Sequence, residues 1–326
     1  MPIRNGSESL WQRHPTNSTK EFIDWSKKSN LDLEVSAVDV IDAHLHLFKA
    51  HSNAYPRTIY PGMADAEMEV LADDLLVVMG ESGVDKAVVV PLGPQDHYLA
   101  DLRRYHPGRF VGIGNYDPDV LDQAEDLDRR MEVSGIQGIR VGGVDSTAGR
   151  GDDPECYEMF SLFVAMAERG LRVWFYAEPD QVELFERVLD LLPDLVAVFN
   201  HSGFMVTVEN LTVDEYRRPH FTTDLPPQTL DLLSRVAERP NTYVHFSGQY
   251  AFSHDPYPYV DMRPVADRLL EIFGAGRMLW ASDFPWILTE PGYPEQLALV
   301  DRLLPDLNEH DRDLIRGGTV ASLFSF

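Results

Sequence analysis

Short apolar runs alternate along the chain with longer amphipathic stretches, beginning near residue 38. Eight of these runs are rich in β-branched, leucine and aromatic residues and have the length of a buried β-strand. They are residues 40–48, 86–93, 109–116, 135–143, 171–178, 195–203, 242–248 and 277–285. These eight segments are predicted to form one sheet.

The stretches between the runs carry apolar residues at three- and four-residue spacing, which predicts amphipathic helices. Glycine or proline marks the predicted ends, as at Gly83, Gly170 and Pro193. The predicted helical segments lie within residues 66–84, 121–135, 156–170, 180–193 and 260–274. Each therefore separates two predicted strands.

Strands that alternate with helices predict a parallel sheet, and eight repeats predict an α/β fold of the (β/α)8 TIM-barrel type. A doubly wound open sheet is the alternative, but the glycine-rich phosphate loop that often follows its first strand is absent. Residues 1–37 are polar and irregular, and we interpret them as an N-terminal extension. Residues 38–326 are predicted to form the barrel domain.

Composition and charge narrow the possible partners. The 326 residues include 53 acidic and 28 Lys or Arg residues, a formal net charge of −25 that disfavours nucleic acid and anionic membranes. Cys156 is the sole cysteine, so neither an intrachain disulfide nor a cysteine-based zinc site is expected. No run of eighteen apolar residues and no secretory h-region are evident, which predicts a cytoplasmic protein.

Candidate chemistry is concentrated where the predicted strands end. His44 and His46 lie in the first strand, His201 ends the sixth and Asp283 ends the eighth. Side chains two apart on a strand share a face, and catalytic groups of such barrels lie at the carboxyl ends of the strands. Taken one at a time, each histidine could be a structural residue held by a hydrogen bond, and the aspartate could cap a turn. The four residues together at the same strand ends predict an active site.

Three segments resemble the amidohydrolase superfamily, in particular its amidohydrolase-2 branch. They are IDAHLHLF (41–48), VFNHSGF (198–204) and MLWASDFPW (278–286), and the similarity extends from about residue 38 to GGTVASLF (317–324). The finer resemblance is to the 2-pyrone-4,6-dicarboxylate lactonase-like and sugar-lactonase-like metal-dependent hydrolases. This resemblance implies a barrel hydrolase that acts on a small molecule, and relatives are often dimers.

The resemblance also implies roles for individual residues. His44 and His46 match the family's HxH pair, which binds a metal or polarises the substrate carbonyl. His201 matches a proton-handling histidine and further candidate ligand, and Asp283 matches the general base and metal ligand. Arg140, in GIQGIRVGG (135–143), matches an arginine that holds a substrate carboxylate. Zinc is the implied divalent metal.

The fifth strand departs from the metal-binding pattern of the family. It reads Trp174, Phe175, Tyr176, Ala177, Glu178, without the further histidine that many members carry, and the fourth strand has no lysine. That leaves His44, His46 and Asp283 as metal ligands, with Glu178 or His201 as further candidates, and three protein ligands plus water suffice for catalytic zinc. Some lactonase relatives work without a metal, so both versions of the site remain open.

Further candidates lie on or beside the later strands. We assign His245 and His254, near the seventh strand, and Tyr176 to substrate binding, although a supporting or loop role explains the two histidines equally well. The segment 250–259 carries four aromatic residues that either wall a pocket or pack the loop. Arg217 and Arg218 follow the sixth strand and are candidates to meet an anionic substrate.

Hydrolysis of a small lactone or related cyclic ester is the leading functional hypothesis, with water activated by Asp283 and an oxyanion stabilised by His44, His46 and His201. Non-oxidative decarboxylation of an aromatic or unsaturated acid is the alternative within the same branch. A barrel that has lost catalysis and only binds a partner is a third class, which the intact set of four residues disfavours.

Overall fold

The computed structural model describes residues 38–205 and 211–326, so the predicted extension over residues 1–37 lies outside the described residues. Eight parallel strands form one sheet in the order β1-β2-β3-β4-β5-β6-β9-β10. They are β1 (Ile41–Leu45), β2 (Lys86–Val89), β3 (Phe110–Asn115), β4 (Ile136–Val141), β5 (Arg172–Phe175), β6 (Ala197–Phe199), β9 (Thr242–Phe246) and β10 (Met278–Trp280). All eight predicted strands and the barrel fold are confirmed.

Helices lie between the strands, as the apolar spacing predicts. In α1, Leu75 and Met79 are four residues apart and both are buried, and the helix ends at Gly83 in the left-handed conformation (φ 70°). The described helices are α1 (Ala72–Ser82), α2 (His97–Tyr105), α3 (Gln123–Val133), α4 (Phe160–Glu168), α5 (Pro179–Leu191), α6 (Leu230–Val236), α7 (Gln249–Phe252), α8 (Arg263–Phe273), α9 (Tyr293–Leu303), α10 (Glu309–Asp313) and α11 (Thr319–Leu323). None of them is long and apolar enough to span a membrane.

A short antiparallel hairpin, β7 (Leu211–Val213) and β8 (Pro219–Phe221), follows β6 and was not among the predicted strands. Both arginines of its turn are in ion pairs. Arg217 Nη1 lies 2.7 Å from Asp65 Oδ2, and Arg218 Nε lies 2.7 Å from Asp214 Oδ2. Because both arginines already pair with carboxylates, an anionic substrate would have to displace those carboxylates to bind them, which disfavours the prediction.

The interior of the barrel is filled by branched and small apolar side chains together with the rings of Trp174 and Phe324, and it is closed at the bottom by α11, whose Val320 and Leu323 join this core. The chain before α11 passes so close to the start of β1 that a Cβ at Gly317 would lie 1.8 Å from the Asp39 carbonyl oxygen. Only glycine fits that position. The bottom is thus packed, and the polar residues are left to the opposite end.

The first and last strands meet at the carboxyl-terminal end of the barrel. The backbone N–H of Asp283 donates to the His44 carbonyl at 3.0 Å, and that of His46 donates to the Phe284 carbonyl at 2.8 Å. The segment after β10 is thereby joined directly to the HxH segment of β1.

Asp42 strengthens this junction from the side of the sheet that faces helix α9. Its Oδ1 accepts from the backbone N–H groups of Ser282 (2.9 Å) and His44 (3.2 Å), and its Oδ2 accepts from the Tyr293 hydroxyl (2.8 Å). Burial raises the pKa of Asp42 to about 6, against the opposing effect of these hydrogen bonds. The carboxyl group therefore crosslinks the two ends of the sheet.

The raised pKa of Asp42 predicts a pH-dependent stability. Because the folded-state pKa of about 6 lies above the ordinary 3.8, the folded chain keeps a proton that the unfolded chain has lost. The stabilisation is complete below about pH 4 and is lost as the pH rises through 6, a change of about 3 kcal/mol. We expect the unfolding free energy in urea of the wild type, minus that of Asp42→Asn, to fall by this order between pH 4 and 7. Asp73→Asn, at the exposed start of α1, is the control for the loss of one carboxylate. If the difference between the wild type and Asp42→Asn does not vary with pH, the raised pKa of Asp42 is contradicted.

Candidate active site

The four residues singled out in the sequence converge at the carboxyl-terminal end of the barrel. Asp283 Oδ1 lies 3.7 Å from His44 Nε2 and 3.5 Å from His46 Nε2, and Asp283 Oδ2 lies 3.9 Å from His201 Nδ1. All four side chains are buried, with at most 8 % of any residue exposed. One carboxylate is thus surrounded by three imidazoles in a site shielded from bulk water.

Two of these residues have a left-handed backbone. His201 and Asp283 have φ angles of 47° and 61°, and Ser202 has 56°. Such angles are uncommon for residues other than glycine and cluster at functional sites, where surrounding contacts enforce them. They turn the chain sharply just beyond β6 and β10, which directs both side chains toward β1.

The two histidines of the HxH pair have neighbours of opposite hydrogen-bonding character. His46 Nδ1 donates to the Val90 carbonyl oxygen at 2.9 Å. His44 Nδ1 instead accepts from the Trp174 indole N–H at 3.1 Å. Sequence reasoning did not assign Trp174 a role, because a tryptophan in a buried strand is normally an apolar core residue.

Asp283 and His201 are also held by residues that the sequence did not single out as functional. The Tyr250 hydroxyl donates to Asp283 Oδ2 at 2.6 Å, and a 3.2 Å hydrogen bond joins Ser247 Oγ to His201 Nδ1. Gly248 lies beside them, and a Cβ there would approach His201 Cβ to 2.9 Å. Tyr250 belongs to the aromatic segment 250–259, and this cluster of aromatic residues was the feature of the sequence that pointed to the contact.

Burial and mutual contact shift the pKa values of the cluster in opposite directions. Burial lowers the pKa of His201 to about 4 and lowers that of His44 well below its usual range. Burial alone would raise the pKa of Asp283, but His201, His46 and the Tyr250 hydroxyl outweigh it and hold that pKa well below its usual range. Near neutral pH the site therefore contains an ionised carboxylate facing imidazoles, of which His44 and His201 are neutral.

The sequence profile of the amidohydrolase family matches residues 41–326, which is nearly the whole described barrel and includes all four site residues. The chain belongs to the amidohydrolase family. It is an enzyme of the hydrolase type, and the resemblance seen in the sequence is confirmed at this level.

Solved structures show the same fold as this amidohydrolase at low sequence identity. A Pseudomonas putida protein proposed to be a 2-pyrone-4,6-dicarboxylic acid hydrolase is 21% identical with a TM-score of 0.67, and the match covers 88% of this chain and 97% of that one. A zinc-bound amidohydrolase from Burkholderia multivorans is 18% identical (TM-score 0.64, 87% and 98% covered). The 5-carboxyvanillate decarboxylase of Sphingomonas paucimobilis is 16% identical (TM-score 0.56, 88% and 99% covered). At such identities these likenesses establish the fold alone.

One group of ligand atoms in the amidohydrolase has the proximity that a metal site needs. His44, His46 and Asp283 each offer one atom within 4.8 Å of the others, whereas His201 is outside this set and Glu178 is exposed. His46 and Asp283 fit a metal, since His46 Nδ1–H donates to a carbonyl and leaves its Nε2 lone pair free. His44 does not fit in its present hydrogen bonding, because its lone pair is already directed at the Trp174 N–H.

Arg140 and Tyr176 stand beside the cluster. The Arg140 guanidinium carbon is 5.5 Å from the centre of the Tyr176 ring, and that ring lies edge-on to His201 at 5.0 Å. Arg140 makes no ion pair with any residue that the structure describes. Tyr176 also lines a cavity of about 570 Å³ over the ends of β4 and β5, which is wide enough for a small ligand.

His245 and His254 occupy very different positions. His245 is fully buried on β9, with its ring 5.3 Å from that of His44 and 5.0 Å from that of Trp174. His254 is exposed, and its Nε2 donates to the Thr223 carbonyl oxygen at 3.1 Å. The structure brings His245 to the cluster and leaves His254 on the surrounding loops, and substrate contact by either one stays a prediction.

Tyr250→Phe tests whether the hydroxyl on Asp283 positions this predicted base. Loss of a buried hydrogen bond to a charged group leaves Asp283 Oδ2 unsatisfied, so we expect the rate of substrate turnover to fall by about 10- to 100-fold. Tyr259→Phe is a matched control, because the Tyr259 hydroxyl is buried and has no partner among the described residues. Equal turnover in the two variants, measured with circular dichroism to confirm folding, contradicts the role.

Proposed function

We propose that this amidohydrolase hydrolyses a small lactone or related cyclic ester that carries a carboxylate. One observation carries the proposal: an ionised carboxylate, Asp283, lies 3.5–3.9 Å from three imidazole nitrogens at the catalytic end of a barrel. A base next to several neutral hydrogen-bonding groups is the arrangement that water attack on a carbonyl requires.

The proposed reaction has two steps. Asp283 Oδ1 takes a proton from water as the water oxygen bonds to the lactone carbonyl carbon, and the carbonyl electrons move to oxygen, where imidazole N–H groups stabilise the charge. The ring C–O bond then breaks as the carbonyl re-forms, and the leaving oxygen takes back the proton held by Asp283. Since the pKa of Asp283 is low, it is a weak base, and stabilisation of the oxyanion must supply much of the acceleration.

Arg140 is proposed to bind the substrate carboxylate. An anionic substrate approaches a chain of net charge −25, so a local cation is needed to hold it. Arg140 is partly buried beside His201 and Tyr176, which places a forked donor next to the reacting groups. The cavity that Tyr176 lines is proposed to take the body of the substrate.

No step of this mechanism uses a metal. Zinc was expected from the resemblance, and a divalent ion at this position would polarise the carbonyl. The lone pair of His44 is not available for it in the present hydrogen bonding, so zinc stays a prediction. A small-molecule substrate, a homodimer and a cytoplasmic location likewise stay predictions.

Decarboxylation of an aromatic or unsaturated acid is the second candidate function. The fold is shared with a 5-carboxyvanillate decarboxylase. In either reaction Arg140 would bind a carboxylate of the substrate. The fifth strand, however, presents Trp174 and Tyr176 and lacks the extra histidine that the resemblance associates with decarboxylating members. We therefore rank lactone hydrolysis first.

Asp283→Asn tests the assignment of the base. The amide keeps the shape of the side chain but cannot take a proton, so we expect kcat to fall by about three orders of magnitude or more. The assay is a panel of lactones and aromatic acids followed by acid release and by carbon dioxide release. Retained turnover contradicts the role of Asp283, and carbon dioxide as the product replaces the lactonase proposal with the decarboxylase.

Arg140→Met tests how the substrate is selected. Removal of the guanidinium should raise KM for a carboxylate-bearing lactone by about 10- to 100-fold, the size of one charge-assisted hydrogen-bonded pair. A neutral lactone of similar size is the control and should be hydrolysed with little change in KM. An equal effect on both substrates would show that Arg140 supports the fold of the site rather than the carboxylate.

A further inference from the structure

The hydrogen bond between Trp174 and His44 determines which nitrogen of His44 carries its hydrogen. An indole N–H is a donor only, so His44 Nδ1, 3.1 Å away, must be the acceptor and has no hydrogen. A neutral imidazole has one N–H, which therefore lies on Nε2. That atom faces the Asp283 carboxylate.

His46 has the opposite arrangement. Its Nδ1–H donates to the Val90 carbonyl oxygen, and a carbonyl can only accept, so in neutral His46 the Nε2 atom holds the lone pair. His46 Nε2 and Asp283 Oδ1 are then two acceptors 3.5 Å apart, and His44 Nε2–H is a donor 3.7 Å from the same oxygen. The HxH pair thus presents one donor and one acceptor to the same space.

Neither His44 Nε2 nor Asp283 Oδ1 has a hydrogen-bond partner among the described residues, although both atoms are buried. Buried polar atoms without partners are rare and indicate a ligand or a reacting group. Two acceptors match the two hydrogens of an attacking water, and one donor matches a carbonyl oxygen. The two unpaired atoms, together with His46 Nε2, are therefore complementary to the two reactants of an ester hydrolysis.

We propose that Trp174 is a positioning residue that holds His44 in the Nε2–H form, so that His44 donates to the substrate carbonyl oxygen while His46 and Asp283 hold the water. The roles of His44, His46 and Asp283 toward substrate and water rest on the proposed function. The Nε2–H form of His44 does not, because it follows from the contact with Trp174.

The same contact opposes a metal at this site. A ligating histidine needs a lone pair on the nitrogen that faces the metal, and its other nitrogen normally donates to a carbonyl or carboxylate. Trp174 reverses this pattern at His44, which leaves His46 and Asp283 as two ligands where catalytic zinc usually has three. His44 is therefore assigned to hydrogen-bond donation and not to metal binding.

Trp174 is held firmly enough to impose this form. It is fully buried on β5, and its ring packs edge-on against His245 at 5.0 Å and Phe324 at 5.4 Å. Rotation of the indole away from His44 would require movement of the packed floor of the barrel. The N–H group is thus a fixed part of the site.

The first test is the form of His44 in the wild-type protein. Correlation of the ring nitrogens with ring protons in 15N-histidine-labelled protein distinguishes a nitrogen with a hydrogen from one without, and His44→Asn assigns the signals. We expect Nδ1 without hydrogen and Nε2 with hydrogen at neutral pH in chelator-treated protein. The reverse pattern overturns the proposal, and this measurement needs no substrate and no variant of Trp174.

The second test is zinc affinity, measured for Zn²⁺ alone by competition with a chelator. Trp174→Phe removes the N–H and frees the His44 Nε2 lone pair, so we expect zinc to bind at least about tenfold more tightly than to the wild type. Trp280→Phe is the matched control, because this buried indole donates to the Gln296 carbonyl at 3.2 Å, away from the cluster.

Unchanged zinc affinity in Trp174→Phe, or the same gain in Trp280→Phe, overturns the proposal. If Trp174→Phe does not fold, the form of His44 in the wild type decides. Failure of the lactone panel together with the expected nitrogen pattern would refute the proposed function but leave the role of Trp174 intact. The two ideas are therefore tested separately.

Discussion

The junction between the first and last strands is the constraint on which the site depends. His44 and Asp283 are about 240 residues apart in the sequence, and the backbone hydrogen bond from Asp283 to the His44 carbonyl brings them together. Asp42 crosslinks the same two segments from the side of the sheet that faces helix α9. Because a closed parallel barrel brings all its strand ends to one rim, chemistry from distant parts of the chain meets there.

In a buried site of this kind, the polar atoms also need hydrogen-bond partners from neighbouring residues that take no part in the reaction. Trp174, Val90, Ser247 and Tyr250 each contact one member of the cluster, and each contact limits the protons that member can carry. In a site with little water, such contacts decide whether an imidazole acts as donor, acceptor or metal ligand. Family membership indicates the reacting groups, whereas their neighbours decide how each group is used.

The net charge of the molecule and the local charge at the site have opposite effects on the binding of an anionic ligand. The overall excess of acid disfavours an anionic ligand, yet Arg140 stands beside the cluster without an ion pair in the described residues. At physiological ionic strength, distant charges are screened over about 8 Å, so a nearby guanidinium outweighs a diffuse negative surface. Arg217 and Arg218, the other candidates from the sequence for binding an anionic substrate, instead form ion pairs with Asp65 and Asp214.

The sequence by itself determined the eight strands, the amphipathic helices between them and the four residues His44, His46, His201 and Asp283, because strand and helix periodicities are local patterns and strand ends of a barrel share one rim. It did not reveal the β7–β8 hairpin, whose strands are only three residues long. Nor could it show that Trp174 and Tyr250 contact His44 and Asp283, since both resemble ordinary core aromatics. Those contacts depend on which side chains of separate strands meet across the barrel interior, and only the tertiary structure decides that.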